Sequence, residues 1–229
     1  MSLRSIGFAA ALSAALIAPA SGADRKADKP QLRIVCVSTL EENQKVVLAS
    51  RDDAGKFKKL GEIELRPMLV TDWLPAQSGE LHLAVAEKGE VKSLGHFTWP
   101  AGTARAFVAV SADPEKKSYT TAIIDPKEQK FDKGMVSLCN FSPKTVSIAL
   151  GDKEVKVEGG QQSVAKPAAD EQGMYRLTVS ILEGEEEPKM YYDRQVSGNP
   201  ASRDLLFVLP DESGGIQVLS LPVFGDLEE

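Results

Sequence analysis

Histidine and cysteine are scarce in this 229-residue chain, with two of each. His82 and His96 form no HxH or HExxH pattern. A zinc centre needs three or four ligands at suitable spacing, so no metal site is expected. Aromatic residues make up only 6% of the chain, which leaves little for stacking platforms that grip bases. Positive charge is also short: 27 Lys and Arg stand against 33 Asp and Glu. An acidic balance lacks the electrostatic footprint of nucleic-acid binding and disfavours anionic lipid surfaces. No GxSxG elbow, P-loop or GxGxxG occurs. No cofactor is therefore expected, and no catalytic residue is assigned.

What is present begins with the first 23 residues. Arg4 is followed by an apolar run from Ile6 to Ile17, then Pro19 and the small residues Ala20, Ser21, Gly22 and Ala23. Charge, short apolar core and small-residue cleavage site make a secretory signal peptide, with cleavage expected after Ala23 and Gly22 as second choice. The core is too short to span a bilayer, which takes about 20 residues. No cysteine stands at the cleavage site, so a lipid anchor is not expected, and no later run inserts the mature chain into a membrane. Residues 24–30 read as a flexible leader. The expected location is the periplasm or the exterior. Loss of Arg4 leaves a mature net charge of −7.

The remaining chain resembles itself. LRIVCVS from Leu32 matches MVSLCNFS from Met135. SGELHLAVAEKGE from Ser78 matches QGMYRLTVSILEGE from Gln172. ARAFVAVSADPEKKSYTTAIID from Ala104 matches SRDLLFVLPDESGGIQVLSLPV from Ser202. Three blocks in the same order point to two copies of one domain, 31–126 and 132–229, with residues 127–131 as linker and a short acidic tail at the end.

Each copy reads as strands. Val146, Ile148 and Leu150 share a face, as do Val155 and Val157 after the Gly151-Asp152 turn. Glycine at the first central position suits a two-residue II′ hairpin. Tyr175, Leu177, Val179 and Ile181 alternate with Arg176, Thr178 and Ser180, and Leu81, Leu83 and Val85 alternate likewise. Phe107 to Val110 and Leu205 to Leu209 are continuous apolar runs suited to buried central strands. The stretch 165–171 is the only helix candidate, and Pro167 counts against it. The fold class expected is all-β: two tandem antiparallel sandwich domains after a signal peptide.

The segment MVSLCNFSPKTVSIALGDKEVKVEGG resembles exported bacterial immunoglobulin-like or transthyretin-like sandwich domains of unknown function, through Asn140, Ser142, Pro143, Gly151 and Asp152. The resemblance implies a sandwich and brings no catalytic residues. The first copy departs from it, with Val37, Ser38 and Thr39 where the second has a pattern built on Asn140.

Four residues are singled out. Cys36 and Cys139 fall at matching places in the sequence alignment. Each is either a small buried residue of its own strand or, if the copies meet about a twofold axis, half of an interdomain disulfide. Trp73 and Trp99 are either packing residues or an exposed anchor for a protein or glycan partner. His82 aligns with Arg176 on a polar face, so it is expected at the surface. The acidic run from Glu183 to Pro188 lacks the alternating oxygens of a calcium loop and reads as a solvated hairpin tip. The preferred function is a non-catalytic binding, adaptor or envelope-structural module with a protein partner in the cell envelope. A glycan- or metal-binding protein is the second reading, and a hydrolase with catalytic residues outside these patterns is the third.

Overall fold

A computed structural model describes residues 29–42, 44–52, 54–87, 90–184 and 187–224. The signal peptide, most of the leader, Glu185, Glu186 and the acidic tail lie outside the described residues. Within them the chain forms seventeen strands and no helix, so none is long and apolar enough to cross a membrane. The 165–171 stretch is not helical: it runs from the end of a strand into a loop.

The strands are β1 (Gln31–Cys36), β2 (Gln44–Arg51), β3 (Phe57–Leu65), β4 (Leu69–Val70), β5 (Leu74–Pro75), β6 (Gly79–Glu87), β7 (Glu90–Trp99), β8 (Arg105–Asp113) and β9 (Ser118–Ile124) in the first half. The second half holds β10 (Val136–Asn140), β11 (Val146–Leu150), β12 (Lys153–Val157), β13 (Gln162–Ala165), β14 (Met174–Ile181), β15 (Lys189–Ser197), β16 (Arg203–Pro210) and β17 (Ile216–Val223). Four sheets result. Their orders are β3-β2-β6-β7, β4/β5-β1-β8-β9, β13-β10-β16-β17 and β12-β11-β14-β15. The order in the first half recurs in the second. All pairings are antiparallel except β1 with β8 and β10 with β16, which are parallel.

Three apolar clusters order these sheets into layers. The first joins Leu48, Leu81 and Leu83 of the β2 sheet to Leu32, Ile34 and Val108 of the β1 sheet. The second joins Ile148, Leu177 and Val179 to Leu138, Leu206 and Val208. The third joins Val35, Phe107 and Ala109 to Cys139, Leu205 and Phe207. The β1 and β10 sheets are therefore inner layers, apolar on both faces. That explains their continuous apolar runs, because a strand covered on both sides has no polar face to alternate with. The outer strand β14 alternates cleanly, with Tyr175, Leu177, Val179 and Ile181 buried.

Local chemistry matches this frame. Gly151, in the two-residue turn between β11 and β12, has φ +68, and a Cβ there would lie 2.2 Å from the Ala168 carbonyl oxygen. Glycine is thus required twice over, by conformation and by space. Asn140 closes β10: its Oδ1 accepts from Ser142 N and Oγ at 3.0 and 2.7 Å, and its Nδ2 reaches the Lys144, Val157 and Glu158 carbonyls.

The 127–131 stretch is a built turn. Asp125 Oδ1 accepts from Lys127 N and Glu128 N, and its Oδ2 accepts from Thr103 Oγ1 at 2.7 Å. Phe131 is fully buried in the inner cluster, and Arg203 Nε donates to its carbonyl at 2.7 Å.

Candidate functional site

The four residues singled out in the sequence fall in two clusters, Cys36 and Trp99 in the core of the first half, Cys139 and Trp73 in the cluster between the halves. Cys36 and Cys139 are both free and buried. Parallel pairing sets Ile34 against Val108 and Leu138 against Leu206, and these pairs occupy matching places in the two halves. Val35, and not Cys36, is therefore the counterpart of Cys139. A one-residue offset moves a side chain to the opposite face of its strand. Cys36 accordingly packs within the first half, while Cys139 faces the inner cluster between the halves. The disulfide reading, which needed the two thiols to be equivalent about an axis, is corrected on this register. Burial pushes both thiols up to about 12. Neither is a thiolate nucleophile at neutral pH.

Trp99 is 1% exposed, and its Nε1–H donates to the Thr103 carbonyl at 3.2 Å. It is a packing residue, closed to any partner. Trp73 is half-buried in the break between β4 and β5. Thr71 holds that break to β1: its amide donates to the Ile34 carbonyl and its Oγ1 accepts from Ile34 N, both at 2.9 Å. The indole stacks at 6.4 Å on Phe107, with the Arg33 guanidinium 4.6 Å and that of Arg105 5.3 Å from its centre.

His82 departs from the surface position expected of it, being 2% exposed. Its counterpart Arg176 is exposed and clasps Asp193 through two hydrogen bonds at 2.7 and 2.6 Å. Over β6 the outer face is instead roofed. Phe57 meets the imidazole edge-on at 5.1 Å, Arg51 stacks on Phe57, and His96 lies 5.9 Å away. Nδ1 is 3.0 Å from Ser93 Oγ. Nε2 lies 3.1 Å from Glu80 Oε1 but out of line for a hydrogen bond. Burial lowers the His82 pKa; Glu80 opposes this, while Arg51 and His96 add to it. His96 itself is exposed. Among the described residues no group of three or more His, Cys, Asp and Glu is arranged to hold a metal ion.

A cleft of about 1030 Å³ lies between the halves. Its walls come from the β7–β8 loop, the start of β8, the 125–132 turn and the start of β16, and its charged lining mixes Arg105, Lys127, Lys130 and Arg203 with Asp125, Glu128 and Asp132. Sequence reasoning missed this place. The signal available was the pair Arg105 and Arg203, which the third repeat block aligns with each other.

No family model matches the chain, and no curated protein matches it.

Two outcomes follow. Thiol-reactive dye should label native protein slowly and then titrate two thiols after denaturation without reductant; a denatured protein with none would restore the disulfide. Neutral His82 holds fewer protons folded than unfolded. Its stabilising contribution is therefore complete above the ordinary histidine value of about 6.5 and is lost as pH falls below it. His82→Gln should flatten that part of the stability profile in urea titrations. An unchanged slope would remove His82 as its source.

Proposed function

We propose that this is an exported protein, delivered by residues 1–23, whose mature part is two tandem immunoglobulin-like sandwich domains, 31–126 and 132–229, with 127–131 between them. It works without catalysis, as a binding or adaptor module of the periplasm or cell exterior with a protein partner in the envelope. The recurrence of sheet order between the halves supports the two-domain reading. Packing of both inner sheets into one apolar cluster supports a single stiff unit that presents its outer edges and end loops.

The observation that carries the adaptor reading is the outer edge of the second half. Among the described residues β15 pairs with β14 alone. It exposes Met190 at 57%, beside the half-buried Tyr191 and Tyr192. Its counterpart β7 is flanked by β9, where Thr121 Oγ1 donates to the His96 carbonyl. An open strand edge with an apolar and aromatic margin is a template for strand addition by a partner. Lys189, stacked over Tyr191 at 5.0 Å, puts a charge at the start of that edge and limits indiscriminate pairing.

The test is a pull-down from the envelope fraction with a photo-crosslinker at Met190 and, as control, at Lys153 on the opposite edge of the same sheet. One defined adduct from position 190, absent from 153 and weakened by Met190→Asp, is the expected result. Equal or absent adducts at both positions would count against the adaptor reading. The same preparation should yield a mature N-terminus at Asp24, and a full-length chain in the cytosolic fraction would remove the export step.

A further inference from the structure

We propose that Arg33, Arg105 and Trp73 form a binding site for a doubly charged oxyanion of the phosphate class, at the margin of the cleft between the halves. The proposal stands on these three residues and is independent of the adaptor reading.

The parallel register of β1 and β8 sets Gln31 beside Arg105 and Arg33 beside Phe107. Arg33 and Arg105 are therefore diagonal neighbours on one face of the inner sheet, and both guanidiniums approach the same indole. Like charges so placed repel each other. Ordinarily a carboxylate relieves the repulsion, and this chain has 33 of them in all. Among the described residues neither arginine forms an ion pair or a hydrogen bond through its guanidinium, although pairs such as Arg176 with Asp193 and Arg66 with Glu64 form elsewhere. Arg33 Nε is buried without a protein acceptor. A buried N–H left in that state is destabilising, the more so on a charged group.

Stacking on Trp73 supplies only part of the compensation. A guanidinium stacks through its face, whereas its five N–H donors lie in its plane. Both guanidiniums lie near one indole, at 4.6 and 5.3 Å from its centre, with no donor engaged by a carboxylate among the described residues. Two guanidiniums match the charge of a phosphate monoester, which carries about −1.5 to −2 at pH 7. A carboxylate would balance only one of them.

The surroundings suit an anion with an organic body. Arg105 also lines the cleft, where it, Lys127, Lys130 and Arg203 face the three carboxylates Asp125, Glu128 and Asp132. The nearest buried acid, Asp125, is already engaged by Thr103 Oγ1 and by the amides of Lys127 and Glu128. It faces its own turn and presents its oxygens to those donors.

Trp73 provides the readout, since Trp99 is sealed in the core and contributes a constant background. Fluorescence of the full chain should change saturably with inorganic phosphate and with glycerol 3-phosphate at constant ionic strength, and not with acetate or chloride. Tighter binding of glycerol 3-phosphate would place the organic body in the cleft; equal affinity would assign recognition to the arginine pair alone. Either supports the site. Arg33→Gln and Arg105→Gln should each weaken phosphate binding at least tenfold. Arg105→Lys, which keeps charge but loses the fork, should weaken it about fivefold. Trp73→Phe should lose the optical signal while calorimetry still detects binding. Circular dichroism checks that each variant is folded. No saturable response, an equal response to acetate, or unchanged affinity in a folded Gln or Lys variant would overturn the proposal.

Discussion

The structure depends on burying the inner faces of β1 and β8 against those of β10 and β16. Phe107, Val35 and Ala109 on one side, with Leu205, Phe207 and Cys139 on the other, form one apolar cluster that neither half completes alone. Each fully buried side chain of this size contributes about 1.5–3 kcal/mol relative to its exposed state. Exposed, that face would be a large apolar patch of the kind that drives association. The connection between the halves follows from the same constraint. Phe131 sits in the cluster, and Arg203 and Asp125 tie the chain around it. The turn is short and hydrogen-bonded because it passes the seam of a core.

Much of the fold was legible because its outer sheets obey the period of two. Val146, Ile148 and Leu150 face inward across the Gly151 turn, and β14 keeps its alternation over eight residues. The inner strands were legible for the opposite reason, as unbroken apolar runs. Register was not legible. Aligning Cys36 with Cys139 looked natural by identity, yet the ladder makes Val35 the counterpart of Cys139. By the same ladder Cys36 stands where the second half has Asn140. One position holds a thiol directed to the Ser38 carbonyl, and the other an amide saturated by its own turn. An alignment scored by residue type has no access to which face a side chain takes.

The candidate site was less legible than the fold, for a related reason. The arginine counterpart of His82 points to the surface, but burial on an outer face is set by Phe57, Arg51 and His96, which come from other strands. Trp73 was recognised as unusual, whereas the two arginines that flank it are separated by 72 residues and meet only through parallel pairing. Tertiary proximity across a parallel pair leaves no local pattern. The sheet that fuses the halves thus also brings Arg33 and Arg105 together beside the cleft.

The claim that one shared inner core couples the halves is tested most directly by amide hydrogen exchange on a Phe207→Ala variant. Removing this ring should cost about 3–5 kcal/mol. The account predicts that protection falls in β1 and β8 of the first half as well as in β10 and β16 of the second. Loss of protection confined to the second half would contradict it.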